Sequence, residues 1–347
     1  MFFASDNTGP VHPKVMEALA AANTGYALGY GADAPMERVR ARIREVFEAP
    51  EAAVYLVATG TAANSLALAT LANPWDAIFC SPVAHIQEDE CNAPEFYAGG
   101  AKLTLVGDGD KMTVAALRAA IGAEEARPVH SPQRGPVSVT QVTERGSIYS
   151  LEELRALTAV AKEFGLKTHL DGARFTNALV ALGCTPAEMT WKAGFDAVSF
   201  GGTKNGLMGV EAVIFFDPAH AWEFELRRKR GAHLFSKHRY LSAQMEAYLT
   251  DGLWLEMAQA ANANCVRLAE GLRGAGTEFL HEPQANMIFA ALPRSAHQRL
   301  RAEGAMYYLQ GGPLETGDPD EKLPCRLVCD WSISAELIDR FVELVKG

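Results

Sequence analysis

The 347-residue chain is 48% hydrophobic and carries a formal net charge of −10 at pH 7. This composition supplies a large core and favours two domains, whereas an acidic chain without a basic tract is a poor candidate for binding nucleic acid or an anionic membrane. The first residues lack a basic segment followed by a long apolar one, and no apolar run approaches about 18 residues. We therefore expect a soluble, cytoplasmic protein without a membrane span.

Short β-rich runs alternate with helical patterns over the first part of the chain. This alternation is typical of an α/β fold in which a mainly parallel sheet is packed between helices. One helix is well marked, because Ser150 fits an N-cap, Glu153 completes a capping box and an apolar stripe extends from residue 151 to 164. The predicted strands are residues 54–57, 77–80, 103–106, 137–141, 166–171, 197–200 and 212–216.

The pattern changes after about residue 240, where a long helical region over residues 240–272 begins. We predict a large domain over residues 1–240, with an N-terminal arm, and a smaller α+β domain over residues 241–347. The further elements predicted in the second domain are strands at 287–292, 305–309 and 325–330 and a closing helix at 335–345.

The first candidate site residues lie where the strand at 54–57 leads into an alanine-rich helix, in the sequence Thr59-Gly60-Thr61. Gly60 permits a tight turn, and the free N–H groups at the start of a helix can bind an anion such as a phosphate. Either threonine could add a hydroxyl group. An ordinary strand–helix turn with a threonine N-cap would have the same sequence, so both interpretations stay open.

His85 follows the second predicted strand and a short loop. An imidazole there can stack on a cofactor ring or move a proton, although a surface-loop histidine is the simpler interpretation of the sequence alone. Glu88, Asp89, Glu90 and Cys91 lie close by. This mixture of ligand classes suits no single metal geometry, and we predict no metal site.

Asp171 ends the strand at 166–171, and Arg174 follows it. Ligands of open α/β sheets sit beyond the carboxyl ends of the strands, which makes Asp171 a candidate partner for a cofactor ring nitrogen. The same residue could instead cap the following helix. The planar guanidinium of Arg174 suits a substrate carboxylate, with a surface ion pair as the alternative.

Lys204 follows the strand at 197–200 and stands among Gly201, Gly202 and Gly206. Glycines let the backbone approach a ligand closely, whereas the alternative is a solvated lysine in a flexible loop. An anion-binding turn, a strand-end aspartate and a glycine-flanked lysine, in this order, favour a pyridoxal phosphate site. The lysine would form a Schiff base with the aldehyde of the cofactor, and the carboxylate would pair with its pyridinium nitrogen.

The motifs together resemble those of the low-specificity L-threonine aldolases, a family of fold type I pyridoxal-phosphate enzymes. The resemblance extends from residue 4 to the last helix, and its most specific parts are the runs HLDGAR at 169–174 and FGGTKNG at 200–206. It implies an aspartate aminotransferase-like large domain with a mainly parallel seven-stranded sheet between helices. It also implies a homotetramer whose sites lie at a dimer interface. The other matching runs are Ser5-Asp6-Asn7, Tyr30 to Asp33, Thr59 to Asn64, Ala84-His85, Gln141 to Gly146 and Arg326-Leu327-Val328.

The resemblance implies cofactor roles for five of these positions. Lys204 would form the Schiff base, Asp171 would pair with the pyridinium nitrogen, and His85 would stack on the ring. Gly60 and Thr61 would bind the phosphate. The implied reaction is retro-aldol cleavage of L-threonine, L-allo-threonine and related β-hydroxy-α-amino acids to glycine and an aldehyde.

The resemblance also implies contacts with the substrate and with a neighbouring subunit. Tyr30 and Asp33 would reach towards the substrate site of the neighbour, and Lys229 would lie near the cofactor at the entrance. The residues that would hold the substrate carboxylate are Ser5, Arg174 and Arg326.

Two positions depart from the pattern of many relatives. The stretch Val142 to Gly146 lacks the second active-site histidine that some relatives carry there, so the base that takes the hydroxyl proton is not fixed by the resemblance. His85 acting through a water is our first choice, and a phosphate oxygen or a water alone stays open as an alternative. Ala32 replaces the first of two acidic residues, which leaves Asp33 alone. Two alternatives stay open: another fold type I reaction, such as β-elimination or transamination, and a homologue that binds the cofactor without turnover.

Overall fold

The computed structural model describes residues 1–124 and 129–347. Within these ranges, a seven-stranded sheet forms the centre of the larger part of the molecule, with the strand order β1-β7-β6-β5-β4-β2-β3. Strands β2 to β6 are parallel, and β7 runs antiparallel to its neighbours β6 and β1. The predicted mainly parallel sheet is confirmed. The strands are β1 Ala53–Val57, β2 Asp76–Cys80, β3 Lys102–Leu105, β4 Gln133–Thr140, β5 Thr168–Gly172, β6 Ala197–Gly201 and β7 Glu211–Phe215.

The central strands are buried along their whole length. Every residue of β1, β2, β5, β6 and β7 is buried. Such continuous burial is expected of a sheet that helices cover on both faces.

The helices are α1 Pro13–Ala22, α2 Ala34–Val46, α3 Gly60–Leu71, α4 His85–Glu88, α5 Ala93–Tyr97, α6 Val114–Ala123, α7 Leu151–Glu163, α8 Phe175–Leu182, α9 Pro186–Met189, α10 Ala221–Arg230, α11 Arg239–Leu249, α12 Leu253–Gly274, α13 Arg294–Ala302 and α14 Ala335–Lys346.

Two local predictions about helices have different outcomes. The capping box of Ser150 and Glu153 is present at the start of α7. The region predicted as helical over residues 240–272 is helical, but it is divided into α11 and α12 by Asp251 at φ 51° and Gly252 at φ 72°, a break that was not predicted. These left-handed conformations cannot continue a right-handed helix.

A second, four-stranded sheet has the order β10-β11-β9-β8. The strand β8 was not predicted, and its alternation of exposed and half-buried residues shows an edge strand with little apolar patterning. The strand predicted at 305–309 is reduced to two residues. The strands of this sheet are β8 Glu278–His281, β9 Met287–Pro293, β10 Tyr308–Leu309 and β11 Lys322–Val328.

The N-terminal arm is built into this second sheet. The backbone N–H of Phe3 donates to the carbonyl of Met306 at 2.7 Å, and the N–H of Val328 donates to the carbonyl of Phe3 at 2.8 Å. The Phe3 ring packs edge-on against Phe341, with 4.9 Å between the ring centroids. The arm therefore joins the core of the C-terminal part before residues 5–7 reach the large sheet. The domain boundary at residue 240 stays a prediction.

Across the two described ranges, every helix is either too short or too polar to cross a lipid bilayer.

Candidate active site

Two adjoining pockets lie beyond the carboxyl ends of β5 and β6. The first, called here the inner cavity, has a volume of about 260 Å³, and the second, the outer pocket, has a volume of about 460 Å³. Asn7, His85 and Lys204 line both. The inner cavity is also lined by Thr59, Gly60, Thr61, Asn64, Asp171 and Glu211, and the outer pocket by Ser5, Asp89, Glu144, Arg174, Tyr308 and Arg326.

The start of α3 forms one end of the inner cavity. Thr59 caps this 12-residue helix by accepting a hydrogen bond from the N–H of Ala62 at 3.1 Å. A Cβ atom placed on Gly60 would meet no atom within 4 Å, so the space in front of the helix start is open. Free N–H groups at such a start attract an anion.

Asp171 is fixed near the end of β5 by two hydrogen bonds. Its Oδ2 accepts from Nδ2 of Asn64 at 2.9 Å, and its Oδ1 accepts from the N–H of Ala173 at 3.1 Å. The carboxylate is therefore held in one orientation at the wall of the inner cavity. His169, two residues earlier, is fully buried between Ser138 and Ser199, and burial lowers its pKa to about 4.

His85 is the first residue of α4 and is backed by a buried carboxylate. Oε1 of Glu90 lies 2.8 Å from Nδ1 of His85 and also accepts a hydrogen bond from Asn64 at 2.9 Å. The hydrogen bond with Glu90 raises the pKa of His85, while burial raises the pKa of Glu90. Because Nδ1 is engaged by Glu90, Nε2 is the ring nitrogen left for the pockets.

Lys204 lies in a short 3₁₀ turn, Thr203–Asn205, directly after β6 and Gly202. Asn205 anchors this turn by donating to Tyr248 Oη at 2.7 Å and to the carbonyl of Trp254 at 2.9 Å. A Cβ on Gly201 would lie 2.4 Å from the carbonyl oxygen of Ala173.

A Cβ on Gly202 would likewise lie 2.7 Å from the carbonyl oxygen of Val210. The chain's own close packing thus accounts for Gly201 and Gly202, whereas the sequence suggested approach to a ligand.

Glu211 is a buried acid beside this turn that the sequence did not indicate. It opens β7 and is paired with Gly201 of β6, and its Oε2 accepts a hydrogen bond from the N–H of Gly202 at 2.7 Å. Burial raises the pKa of Glu211 to about 7. A carboxyl group that is protonated to a substantial extent near neutral pH therefore lines the inner cavity close to Lys204.

The two arginines of the outer pocket are held in different ways. Arg174 forms a bidentate ion pair with Asp6, at 2.6 and 3.0 Å, and Asn286 also donates to Asp6 at 3.1 Å. Arg326 donates from Nη2 to the carbonyl of Ala4 at 3.2 Å and lies over the ring of Tyr308, 4.7 Å from its centroid.

The Nε of Arg326 is buried and has no hydrogen-bond partner among the described residues. Ser5 also lines this pocket, and its Oγ accepts from the N–H of Asn7 at 3.1 Å.

Three of the residues that the sequence indicated are placed away from both pockets of their own chain. The ammonium of Lys229 lies over the ring of Tyr30, 5.0 Å from its centroid, and the Tyr30 side chain is 55% exposed. Asp33 is buried, caps α2 by accepting from Met36 at 3.0 Å and lies 3.5 Å from His238. Its Oδ1 is therefore engaged within its own chain, whereas its Oδ2 is buried near His238 without a hydrogen-bond partner among the described residues.

The acidic run after His85 does not gather into a metal site. Glu90 is turned inward to His85, whereas Glu88, Asp89 and Cys91 are exposed. Over residues 1–124 and 129–347, no cluster of three or more histidine, cysteine, aspartate or glutamate side chains is arranged to hold a metal ion.

Sequence reasoning missed four buried residues that position the site. Asn64 lies one turn into α3, where it faces the sheet, and Glu90 lies five residues after His85. Both residues lie close to candidate motifs, and a polar residue in such a place indicates a possible partner for the site residues. Asp6 lies within a matching run, but its partner Arg174 is distant in sequence, and Glu211 carries no local signal because it contacts backbone. The four residues are Asp6, Asn64, Glu90 and Glu211.

The donor set fits pyridoxal phosphate. Lys204 offers an amine for the aldehyde, Asp171 a fixed carboxylate for the ring nitrogen, and the open start of α3 an anion site for the phosphate. Two buried oxygens near these groups, Asn64 Oδ1 and Glu90 Oε2, have no hydrogen-bond partner among the described residues. Such atoms are costly in a folded protein unless a ligand or water satisfies them.

Comparisons with known proteins agree with this geometry. Residues 3–294 match the model of the β-eliminating lyase family. A low-specificity L-threonine aldolase from Pseudomonas sp. strain NCIMB 10558 is 42% identical over 95% of this chain and 92% of its own length. Another from Pseudomonas aeruginosa is 40% identical over 99% of this chain and 98% of its own length.

Solved structures agree as well. Leishmania major threonine aldolase has a TM-score of 0.91 at 29% identity and covers 99% of this chain and 98% of its own. Sphingomonas wittichii serine palmitoyltransferase has a TM-score of 0.71 at 17% identity, over 100% of this chain and 86% of its own, which supports the fold alone. The resemblance and the fold class predicted from the sequence are confirmed. The chain belongs to the β-eliminating lyase family, and within it to the group of the low-specificity L-threonine aldolases.

Proposed function

We propose that this chain cleaves L-threonine, L-allo-threonine and related β-hydroxy-α-amino acids to glycine and an aldehyde, as a pyridoxal-phosphate lyase. The observation that carries the proposal is that Lys204 and His85 line both the inner cavity and the outer pocket. A cofactor in the first would therefore meet a substrate bound in the second. When bound, pyridoxal phosphate supplies the electron sink for the bond that breaks at the substrate Cα.

Within the inner cavity, each residue has one proposed task. Lys204 binds the aldehyde carbon of the cofactor, and Asp171, held by Asn64, keeps the ring nitrogen protonated. Gly60 and Thr61 bind the phosphate through the start of α3. His85 would stack on the ring, and its contact with Glu90 sets its orientation.

The substrate carboxylate is assigned to the outer pocket. Arg326 has a buried Nε without a partner among the described residues, and Arg174 lines the pocket while Asp6 occupies its Nε and Nη2. Two guanidinium groups and the Ser5 hydroxyl can together fix a carboxylate in one orientation. With the carboxylate so fixed, the side-chain hydroxyl of the substrate is directed towards His85.

His85 is the proposed acceptor of the hydroxyl proton, directly or through a water. Its Nε2 is available because Glu90 engages Nδ1, and the hydrogen bond with Glu90 raises the pKa of His85 and so makes it a stronger base. General-base assistance of this kind typically contributes about 10²–10⁴-fold to the rate.

We also propose a cytoplasmic homotetramer built from dimers, in which Tyr30 reaches towards the site of the neighbouring subunit and Lys229 lies near the cofactor at the entrance of a site. The segment before Tyr30 exposes large apolar side chains, with Tyr26 fully exposed and Leu28 72% exposed. Exposed apolar groups this close together favour an assembly surface. The substrate-binding role of Asp33 would require its carboxylate to leave its present contacts with Met36 and His238.

The test of this function measures aldehyde release. Purified protein loaded with pyridoxal phosphate should release acetaldehyde and glycine from L-threonine or L-allo-threonine, and Lys204→Ala should abolish this release. Borohydride reduction should fix the cofactor's mass at Lys204 in the wild type. Keto-acid or ammonia formation without aldehyde would favour transamination or β-elimination, and cofactor binding without any turnover would indicate an inactive homologue.

A further inference from the structure

Glu144 is a carboxylate of the outer pocket that has no task in the function proposed above. Its side chain lines this pocket together with His85, Arg174 and Arg326. Within residues 1–124 and 129–347, no group forms a hydrogen bond or close ion pair with it. By contrast, the buried carboxylates around the site accept hydrogen bonds from the chain, and these are Asp6, Glu90, Asp171 and Glu211.

The backbone that carries Glu144 is held firmly. The N–H of Gly146 donates to the carbonyl of Thr143 at 2.9 Å, and the N–H of Thr143 donates to the carbonyl of Ser147 at 3.0 Å. The Thr143 hydroxyl also donates to Asp110 at 2.8 Å. The turn therefore presents Glu144 to the pocket from a fixed position, with its carboxylate available to a ligand.

The charge of Glu144 acts on the groups around it. Burial lowers the pKa of Arg326, and Glu144 opposes this shift. Burial likewise lowers the pKa of Arg174, but Asp6 and Glu144 outweigh it and leave that pKa raised. Glu144 also adds to the rise in the pKa of His85 that the hydrogen bond with Glu90 causes. Glu144 is therefore close enough to the arginines and to His85 for a ligand among them to experience its charge.

A charge count shows what the pocket can accept. Asp6 already neutralises Arg174, which leaves the positive charge of Arg326 to face both Glu144 and the carboxylate of an amino acid ligand. Of the other cations at this pocket, His85 is engaged by Glu90 and Lys204 is assigned to the aldehyde of the cofactor. Once the first carboxylate is bound, a second carboxylate on the ligand would therefore have no cation of its own to pair with and would face Glu144. A side chain with a hydrogen-bond donor would instead find an acceptor.

We propose that Glu144 selects substrates by their side chain, excluding those that carry a carboxylate and favouring those that donate a hydrogen bond. The inference rests on the proposed function, because it assigns the α-carboxylate to Arg174 and Arg326. Two like charges within several ångströms of each other in a partly desolvated pocket repel strongly enough to change relative affinity by about tenfold or more.

The test compares L-aspartate with L-asparagine, which have nearly the same shape and differ in side-chain charge. Their dissociation constants are measured by calorimetry on cofactor-loaded wild type and on Glu144→Gln. The affinity for L-aspartate relative to L-asparagine should rise about tenfold or more in the variant. An unchanged ratio, or the failure of both amino acids to bind either protein, would overturn the proposal.

Asp89→Asn is the matched control. Asp89 lines the same pocket but is exposed, so its removal should leave the ratio within about threefold of the wild type. An equal effect of both substitutions would mean that overall charge, rather than Glu144, decides the preference, and the proposal would be wrong.

Turnover provides a separate check that distinguishes this inference from the proposed function. In Glu144→Gln, kcat/KM for L-β-hydroxyaspartate relative to L-threonine should rise by a similar factor. A protein that cleaves neither compound but shows the changed binding ratio would end the proposed function and leave the selectivity of Glu144 standing. Cleavage of L-threonine with an unchanged ratio would support the proposed function and overturn the selectivity assigned to Glu144.

Discussion

Arg174 donates from Nε and Nη2 to the two carboxylate oxygens of Asp6, at 2.6 and 3.0 Å, and the two side chains are 5% and 1% exposed. The residues are 168 positions apart in the sequence. The N-terminal arm enters the core of the C-terminal part at Phe3 and then supplies the counter-ion of Arg174, which follows β5 of the large sheet. The orientation of Arg174, the arginine proposed to bind the substrate carboxylate, thus depends on how the two parts of the molecule are joined.

Asp6→Ala should destabilise the protein and weaken substrate binding. The substitution leaves the buried guanidinium of Arg174 without its counter-ion, and breaking a buried ion pair from one side costs about 3–5 kcal/mol of the free energy of unfolding. Denaturant unfolding measures this loss, and a rise in KM for L-threonine reports the misplaced arginine.

Glu246→Ala is the control for this experiment. Glu246 pairs with Arg38 on the surface, where the two side chains are 31% and 58% exposed. An exposed pair of this kind contributes about 0–1 kcal/mol, so the control should unfold almost as the wild type does. If the two substitutions had equal effects on stability, the assignment of Asp6 as an essential counter-ion would be wrong.

The elements of the large sheet could be predicted from sequence because they depend on local patterns. All seven strands were located within a few residues; β1, β2, β6 and β7, which are buried on both faces, read as mainly apolar runs, whereas β3, β4 and β5 contain more polar residues. Asp171, Lys204 and the Thr59–Gly60–Thr61 turn were found because they occur where such runs end. Their roles in catalysis stay proposals.

The parts that could not be predicted depend on contacts between distant residues. The break between α11 and α12 is the local exception: it lies at Asp251 and Gly252, which both have left-handed conformations, and the Asp-Gly pair is a turn signal that the helical prediction overlooked. The pairing of Asp6 with Arg174 and the contact of Glu211 with the backbone of Gly202 exist only after folding. Likewise, the burial of Asp33 against His238 could not be read from its motif.

Asn64→Leu should weaken the binding of pyridoxal phosphate. The Nδ2 group of Asn64 donates to both Glu90 and Asp171, so the apolar replacement leaves two buried carboxylates short of a donor and releases the orientation of Asp171. A buried acceptor left unsatisfied costs about 1–3 kcal/mol, and 1.4 kcal/mol corresponds to about tenfold in affinity. We expect the dissociation constant of the cofactor, measured by absorbance titration, to rise about tenfold or more.

Asn177→Leu is a matched control for that measurement. Asn177 is also buried and shares two hydrogen bonds with Asn262, at 3.1 and 3.0 Å, but it lines neither pocket. Its replacement should lower stability and leave cofactor affinity unchanged. Equal loss of affinity in both variants would show that general destabilisation is responsible. The hydrogen bonds from Asn64 to Glu90 and Asp171 would then have no specific role in cofactor binding.

Glu90→Gln should move the pH dependence of catalysis to lower pH. The hydrogen bond with Glu90 raises the pKa of His85, so without that carboxylate the imidazole loses its proton at a lower pH. If neutral His85 is the base, the acidic limb of the profile of kcat/KM against pH reports its pKa and should shift downward. Glu88 is exposed and lies on α4, the short helix that begins at His85. Glu88→Gln is therefore the control, and it should leave the acidic limb in place. A limb that stays fixed in Glu90→Gln would exclude His85 as the titrating base.

Glu211→Gln should change how the stability of the cofactor-free protein depends on pH. Burial raises the pKa of Glu211 from 4.5 to about 7, so the folded state favours the protonated acid. The protonated Glu211 contributes its full stabilisation to the folded protein below pH 4.5. This contribution is lost as pH rises through about 7, which removes up to roughly 3 kcal/mol of the free energy of unfolding.

A glutamine cannot ionise, and its amide oxygen can still accept the hydrogen bond of Gly202 that Glu211 accepts at 2.7 Å. The variant should therefore lack this decline and become more stable than the wild type near pH 8, as measured by denaturant unfolding at several pH values. The exposed Glu270 on α12 is a suitable comparison, because Glu270→Gln should follow the wild-type curve. Parallel curves for Glu211→Gln and the wild type would mean that Glu211 is ionised in the folded protein throughout this range. The inner cavity would then hold a negative charge near Lys204 even before the cofactor's phosphate enters, and Gly60 and Thr61 would have to bind that phosphate against it.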